Sequence, residues 1–177
     1  MKDKRSITRK QIIDAASACF AEYGYDKTTF DDVAKRAGIS RTLIYTYFKS
    51  KQEFFFTMMD EKHKNYLRQS QEVLNSSLST KEKLRKIIDI WIIDPHRIIY
   101  KSPLPNIWLK PVKSIQESEK LLRGDFIKSL VPLVGYDLAE VIVFSYKGLL
   151  DDKPSIEILE KRTDILISSL KMLPNDE

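Results

Sequence analysis

The chain predicts an all-α fold, and three observations carry that prediction. Apolar residues recur at i, i+3, i+4 and i+7 along most of its length. Serines and threonines stand just ahead of these runs, and Thr8, Thr29, Ser50 and Ser79 each have an acid or amide three residues later, which is how a helix start is written. No stretch alternates apolar and polar residues as a half-buried strand does, and no internal repeat stands out.

Taken in order, residues 2–7 are dense in charge and lack apolar periodicity, which predicts a mobile basic arm. Thr8 with Gln11 reads as a capping box for a first helix. Its buried face is Ile12, Ile13, Ala16, Cys19 and Phe20, and Gly24 ends it. Thr29, three residues before Asp32, caps a second helix with Phe30, Val33, Ala34 and Ala37 inward, and Gly38 closes it. Ile39 plugs the core and Ser40 caps a third helix with Ile44 and Phe48 inward. Ser50 with Glu53 opens a long fourth helix through Phe54, Met58 and Tyr66 to about residue 74. After a polar linker at 75–80, Ser79 with Glu82 caps a helix carrying Leu84, Ile87, Ile88 and Trp91, which Pro95 stops or bends. Prolines 95, 103, 105 and 111 predict short helical pieces and turns over residues 94–112. A helix from about 112 or 114 to 130 is ended by Pro132 and Gly135. Two more follow, near 137–150 and 155–172, with Pro154 suited to a first helical turn.

The second and third helices, joined by a glycine turn, have the layout of a DNA-reading helix-turn-helix. A third helix that begins Ser40-Arg41-Thr42 exposes Arg41, Thr42 and Thr46, with Tyr45 and Tyr47 at the rim. Arg41 is the strongest candidate for reading, because a guanidinium takes the O6 and N7 of a guanine together. Tyr45 and Tyr47 stand between core packing and DNA contact, and Ser40 serves at least as a cap.

The run from Gly38 to Glu53, with Phe20 to Gly24 and Thr29 to Ala37 before it, resembles the signature of TetR-type (tetracycline-repressor-like) regulators. That signature places glycine, an aliphatic residue and serine ahead of Leu-Tyr-x-Tyr/His-Phe and a lysine. The likeness covers roughly the first third of the chain. It implies that Thr29, Tyr47 and Lys51 contact phosphate. Leu43 stands where the family often has a threonine that touches DNA, so that contact is not expected here. The resemblance also implies a helix-turn-helix domain over 1–51 and a helical ligand-binding and dimerisation domain over 52–177.

Charge agrees with the placement. Residues 1–51 hold eleven Lys/Arg against six Asp/Glu, which is the whole of the chain's net +5. The remainder is balanced, so the excess lies where phosphates would be met. No apolar run approaches the roughly 20 residues that span a bilayer, and no apolar segment follows the basic N-terminus, so no membrane association is expected and the cytoplasm is the expected location. Cys19, the single cysteine, fits a reducing compartment.

The last two helices carry more apolar face than a domain edge needs. In the proteins this chain resembles, such a pair forms a four-helix interface with a second copy. Here that face would be Val141, Phe144, Ser145, Gly148, Ile158, Arg162, Ile165 and Ser169. A homodimer also follows from the need to read a palindromic operator with two short helices. Candidates for a small-molecule effector of unknown identity are His63, Tyr66, Trp91, His96, Tyr100, Trp108, Phe126 and Phe144, gathered near the proline-rich segment. No metal or other cofactor is expected, since neither histidine has a cysteine or paired carboxylate motif beside it. No phosphate loop, Gly-x-Ser-x-Gly elbow or His-x-x-x-His pair supports catalysis. The sequence therefore predicts a ligand-released repressor. Regulation of the same fold by a protein partner, or a helical enzyme with an incidental motif, are the other classes it leaves open.

Overall fold

The computed structural model describes residues 4–100 and 113–170, and among these every regular element is helical. The order is α1 (Lys4–Tyr23), α2 (Phe30–Ala37), α3 (Arg41–Tyr47), α4 (Lys51–Leu74), α5 (Thr80–Ile88), a π-helical turn (Asp89–Ile93), α6 (Asp94–Tyr100), α7 (Lys113–Val134), α8 (Tyr136–Leu149) and α9 (Ile156–Ser169). Described residues up to His63 form one compact unit and those from Lys64 onward a second. The division falls inside α4, whose Phe54 and Met58 belong to the first core.

That first core is the set of faces the apolar spacing marks. Ile12, Ala16, Cys19 and Phe20 of α1 meet Phe30, Val33, Ala34 and Ala37 of α2, with Ile44 and Phe48 closing from the α3 side. Phe48 stacks on Phe54 at 4.2 Å and Phe30 meets Phe54 edge-on at 5.3 Å. Each such pair is worth about 0.5–1.5 kcal/mol beyond the area it buries.

The N-terminus differs from expectation. No breaker interrupts Lys-Arg-Ser-Ile-Thr-Arg-Lys, so α1 begins at Lys4 rather than at a Thr8 cap, and residues 4–7 are helix, not a mobile arm. Gln11 does not serve a capping box there; its Nε2 donates 2.7 Å to the carbonyl of Ala37 and ties α1 to the end of α2.

In the second unit, Ser79 and Glu82 form the reciprocal capping box that opens α5. Pro95 does not stop this helix. A proline lacks the N–H that would bond four residues back, and its ring collides with that carbonyl. The chain widens to the π turn just ahead of it, where the Asp94 N–H reaches Asp89, and continues as α6. Pro132 likewise lies within α7 rather than ending it. It sits one turn from the end, exposed, where the lost bond is a single one, and the stop comes at Gly135 with φ +76°. Pro154 precedes the α9 cap instead of entering the first turn; Ser155 is the cap. Leu84, Ile87, Ile88, Trp91, Phe126, Leu130, Ala139, Ile142, Tyr146, Leu159 and Ile167 make the second core. Prolines 103, 105 and 111 lie outside the described residues, as does the expected end of the last helix at 172.

Candidate nucleic-acid interface

The turn between α2 and α3 is set by local caps and one glycine. Thr29 accepts a hydrogen bond from the Asp32 N–H at 3.2 Å, and the Asp32 carboxylate accepts from the Thr29 N–H at 2.8 Å and its hydroxyl at 2.6 Å. These bonds, the hydroxyl's first, hold the Asp32 carboxyl below its ordinary value. Gly38 takes the left-handed conformation, φ +66°, and its N–H returns to the carbonyls of Ala34 and Lys35. Ser40 then caps α3, accepting from the Leu43 N–H at 3.1 Å. Ile44 and Phe48 are buried and fix the roll of α3, leaving Ser40, Arg41, Thr42, Tyr45 and Thr46 outward.

These outward residues differ in their engagement. The Arg41 Nη1 donates 2.8 Å to the Asp31 carboxylate, its Nη2 donates 3.2 Å to the Tyr45 hydroxyl, and the guanidinium carbon lies 5.6 Å from the Tyr45 ring centre. The Tyr45 ring packs edge-on against Phe30 at 4.8 Å, so it is both a core neighbour and, at 47% exposure, a surface group. The Thr46 hydroxyl donates to the Leu43 carbonyl at 2.7 Å. Tyr47 is half-buried against the core, and Leu43 is exposed.

Lys51 has a structural task that its sequence position does not announce. Its Nζ donates to the carbonyls of Asp26 (3.0 Å) and Thr28 (3.2 Å) and lies 4.7 Å from the Tyr25 ring centre. It thus braces the loop that presents Thr29. Asp31 is the residue that sequence reasoning missed. Its partner lies ten positions away across the turn, and no local pattern joins them.

In the second unit the candidate effector residues divide. Tyr66, Trp91 and Phe126 come together: Trp91 stacks on Phe126 at 5.4 Å, Tyr66 lies 5.5 Å from Trp91, and the indole N–H donates 2.8 Å to Ser70. His96 Nε2 lies 2.9 Å from the Pro154 carbonyl. Phe144 is on the surface beneath Arg123 and not with the others, and His63 belongs to the first unit. Trp108 and the Tyr100 side chain lie outside the described residues. Val141, Phe144, Ile158 and Ile165 are exposed apolar groups on α8 and α9, with Gly148 and Ser169 also at the surface. Arg162 grips Asp152 through two 2.6 Å bonds and the Leu149 carbonyl at 2.8 Å, while Ser145 donates to Val141. The Cys19 thiol is buried, and that burial raises its pKa, which makes it a poor nucleophile. No helix of the described residues is long and apolar enough to cross a membrane.

The capped pair and glycine turn lie within the stretch that matches a family model, "Bacterial regulatory proteins, tetR family", over residues 12–58. The chain is thus similar to the tetR family over residues 12–58. Among its relatives, the fatty acid metabolism regulator protein of Bacillus subtilis is 36% identical over 88 residues, covering 50% of this chain and 45% of the relative. The HTH-type transcriptional repressor Rv1474c of Mycobacterium tuberculosis is 42% identical over 60 residues, 34% of this chain and 32% of the relative. The chain thus spans less than half the length of these relatives in its matches. The tetR-type fold extends beyond the matched domain. A transcriptional regulator from Cytophaga hutchinsonii superposes with TM-score 0.74 at 20% identity, over 90% of this chain and 94% of that one. FadR from B. subtilis, solved in complex with stearoyl-CoA, does so with TM-score 0.66 at 21% identity, over 90% and 97%.

Proposed function

We propose that this chain is a tetR-type regulator, a sequence-specific DNA-binding transcriptional regulator of the repressor type, with no enzymatic activity of its own. The observation that carries the reading is α3. Its inner face is buried in the first core, its N-terminus is capped, and it presents Arg41, Thr42, Tyr45 and Thr46 outward within the segment, residues 1–51, that holds all of the chain's positive excess. Arg41 reads a guanine, Thr42 and Thr46 meet neighbouring base edges, and Thr29, Tyr47 and Lys51 position the unit on phosphates. One seven-residue helix reads too few bases for useful discrimination, so two copies act together on a palindromic operator. The second unit supplies the contact between copies through the exposed α8 and α9 faces, and it holds the effector.

An effector that alters the second unit acts through α4, which contributes to both units. Half-sites are spaced near one helical turn, about 34 Å, or a multiple of it. A coupling of about 1–3 kcal/mol changes operator affinity about 5- to 150-fold. Long-chain acyl compounds are the first class to try, since one relative regulates fatty acid metabolism and a similarly folded protein holds stearoyl-CoA. The cytoplasm is the compartment in which such a regulator works.

The test is selection of bound sequences from a random duplex library at near-physiological salt. A palindromic consensus supports the reading. A library that emerges without consensus sinks it, because charge alone yields sequence-blind binding.

A further inference from the structure

Arg41 does not stand alone on the reading face. Asp31, in the first turn of α2, accepts from its Nη1 at 2.8 Å, and Tyr45 accepts from its Nη2 at 3.2 Å. Tyr45 is itself seated on Phe30, the residue next to Asp31 in the chain. Asp31, Arg41, Tyr45 and Phe30 therefore close a ring of contacts between α2 and α3. The Arg41 and Asp31 side chains remain 54% and 66% exposed, so the pair faces whatever α3 meets.

We propose that Asp31 is a specificity-determining residue that acts through Arg41, turning it away from phosphate and toward a guanine edge. The inference rests on the DNA-binding reading above. A guanidinium has more N–H donors than Asp31 and Tyr45 use, so it can keep its carboxylate and still give two to another acceptor. The O6 and N7 of guanine are neutral acceptors and tolerate a carboxylate beside the shared guanidinium. A phosphate in the same place sets two anions against each other across one cation. Asp31 thus costs little when Arg41 meets guanine and much when it meets the backbone. The Tyr45 hydroxyl and ring hold the guanidinium from its other side.

The experiment compares wild type, Asp31→Asn, Arg41→Ala and the double variant on the selected operator and on a scrambled duplex over a range of salt. Asp31→Asn is expected to tighten binding to scrambled DNA about 3- to 10-fold, to narrow the operator-to-scrambled ratio by a similar factor, and to steepen the scrambled-DNA salt slope by about one. In the Arg41→Ala background the same change is expected to do nothing. An unaltered ratio overturns the proposal. So does an equal gain with Arg41 removed, which would mark plain repulsion between Asp31 and phosphate. Wild type that fails to distinguish the two duplexes defeats the DNA-binding reading itself, and the proposal with it.

Discussion

The ammonium of Lys51, at the first position of α4, lies 3.0 Å from the carbonyl of Asp26 in the loop ahead of α2. With the Thr28 carbonyl and the Tyr25 ring it makes one cation brace the loop that carries the Thr29 cap. Lys51→Met, which keeps the aliphatic stem, is expected to lower the stability of the first unit by about 1 kcal/mol. It is also expected to reduce the salt slope of operator binding by about one, since an ammonium has a third donor for phosphate. Thermal melts and salt titrations check the two separately; an unchanged melt would remove the bracing role.

The apolar faces of α8 and α9 predict the assembly. Val141 is 59% exposed and Ile165 57%, so neither is needed to fill the core of its own chain. Ile165→Glu should leave helical content and melting temperature nearly unchanged while converting a dimer to a monomer in sedimentation. Operator affinity should fall with it, since paired half-sites then lose their link. A variant that stays dimeric would move the interface elsewhere.

Tyr146 predicts an alkaline weakness. Its ring is buried, its hydroxyl pairs with Thr163 at 3.1 Å, and burial pushes its pKa up to about 12 from 10.0. The folded state favours the protonated phenol, so this contribution is complete below pH 10 and is lost as pH rises toward 12. At the upper end the loss amounts to about 3 kcal/mol. Denaturant titrations of wild type and Tyr146→Phe should converge across that range, the variant starting lower because Thr163 loses its partner. Parallel curves would mean that another group governs alkaline unfolding.

Two capping boxes predict the acid side. Asp32 is held below 3.8 by the hydroxyl and then the N–H of Thr29, and Glu82 below 4.5 by the N–H and then the hydroxyl of Ser79. Carboxyls with depressed folded values stabilise fully above their unfolded values, and the benefit disappears as pH falls through the folded ones. Melting temperature should therefore decline below about pH 5, and Thr29→Ala with Ser79→Ala should flatten that decline while costing about 1 kcal/mol each at neutral pH. Equal steepness in the variants would contradict the assignment.

What could be read in advance was what is local. Thr29, Gly38, Ser40 and Ser79 declare themselves because a cap or a left-handed turn is decided within four residues, and the cores of α2 and α3 follow from their spacing. The prolines misled because their effect depends on what lies a turn away. Pro95 is absorbed by a π turn, and Pro132 comes too late in α7 to matter. The Thr8–Gln11 box does not form because Gln11 gives its amide to the Ala37 carbonyl, a tertiary choice. The pairing of Arg41 with Asp31 and the brace at Lys51 depend likewise on which loops meet, and nothing in the neighbouring sequence marks them. Of the aromatic candidates, helical spacing did not tell interior from surface. Phe126 is stacked inside and Phe144 lies outside.

The central claim is that α3 reads base sequence through Arg41. It is tested most directly by measuring, at fixed near-physiological salt, the ratio of affinities for the selected operator and a scrambled duplex of equal length, in wild type and in Arg41→Ala. A ratio of at least about 10³ in wild type is predicted. In the variant the operator affinity should fall about 5- to 150-fold per half-site contact, while binding to the scrambled duplex changes much less. Equal loss on both duplexes, or a wild-type ratio near one, would contradict it.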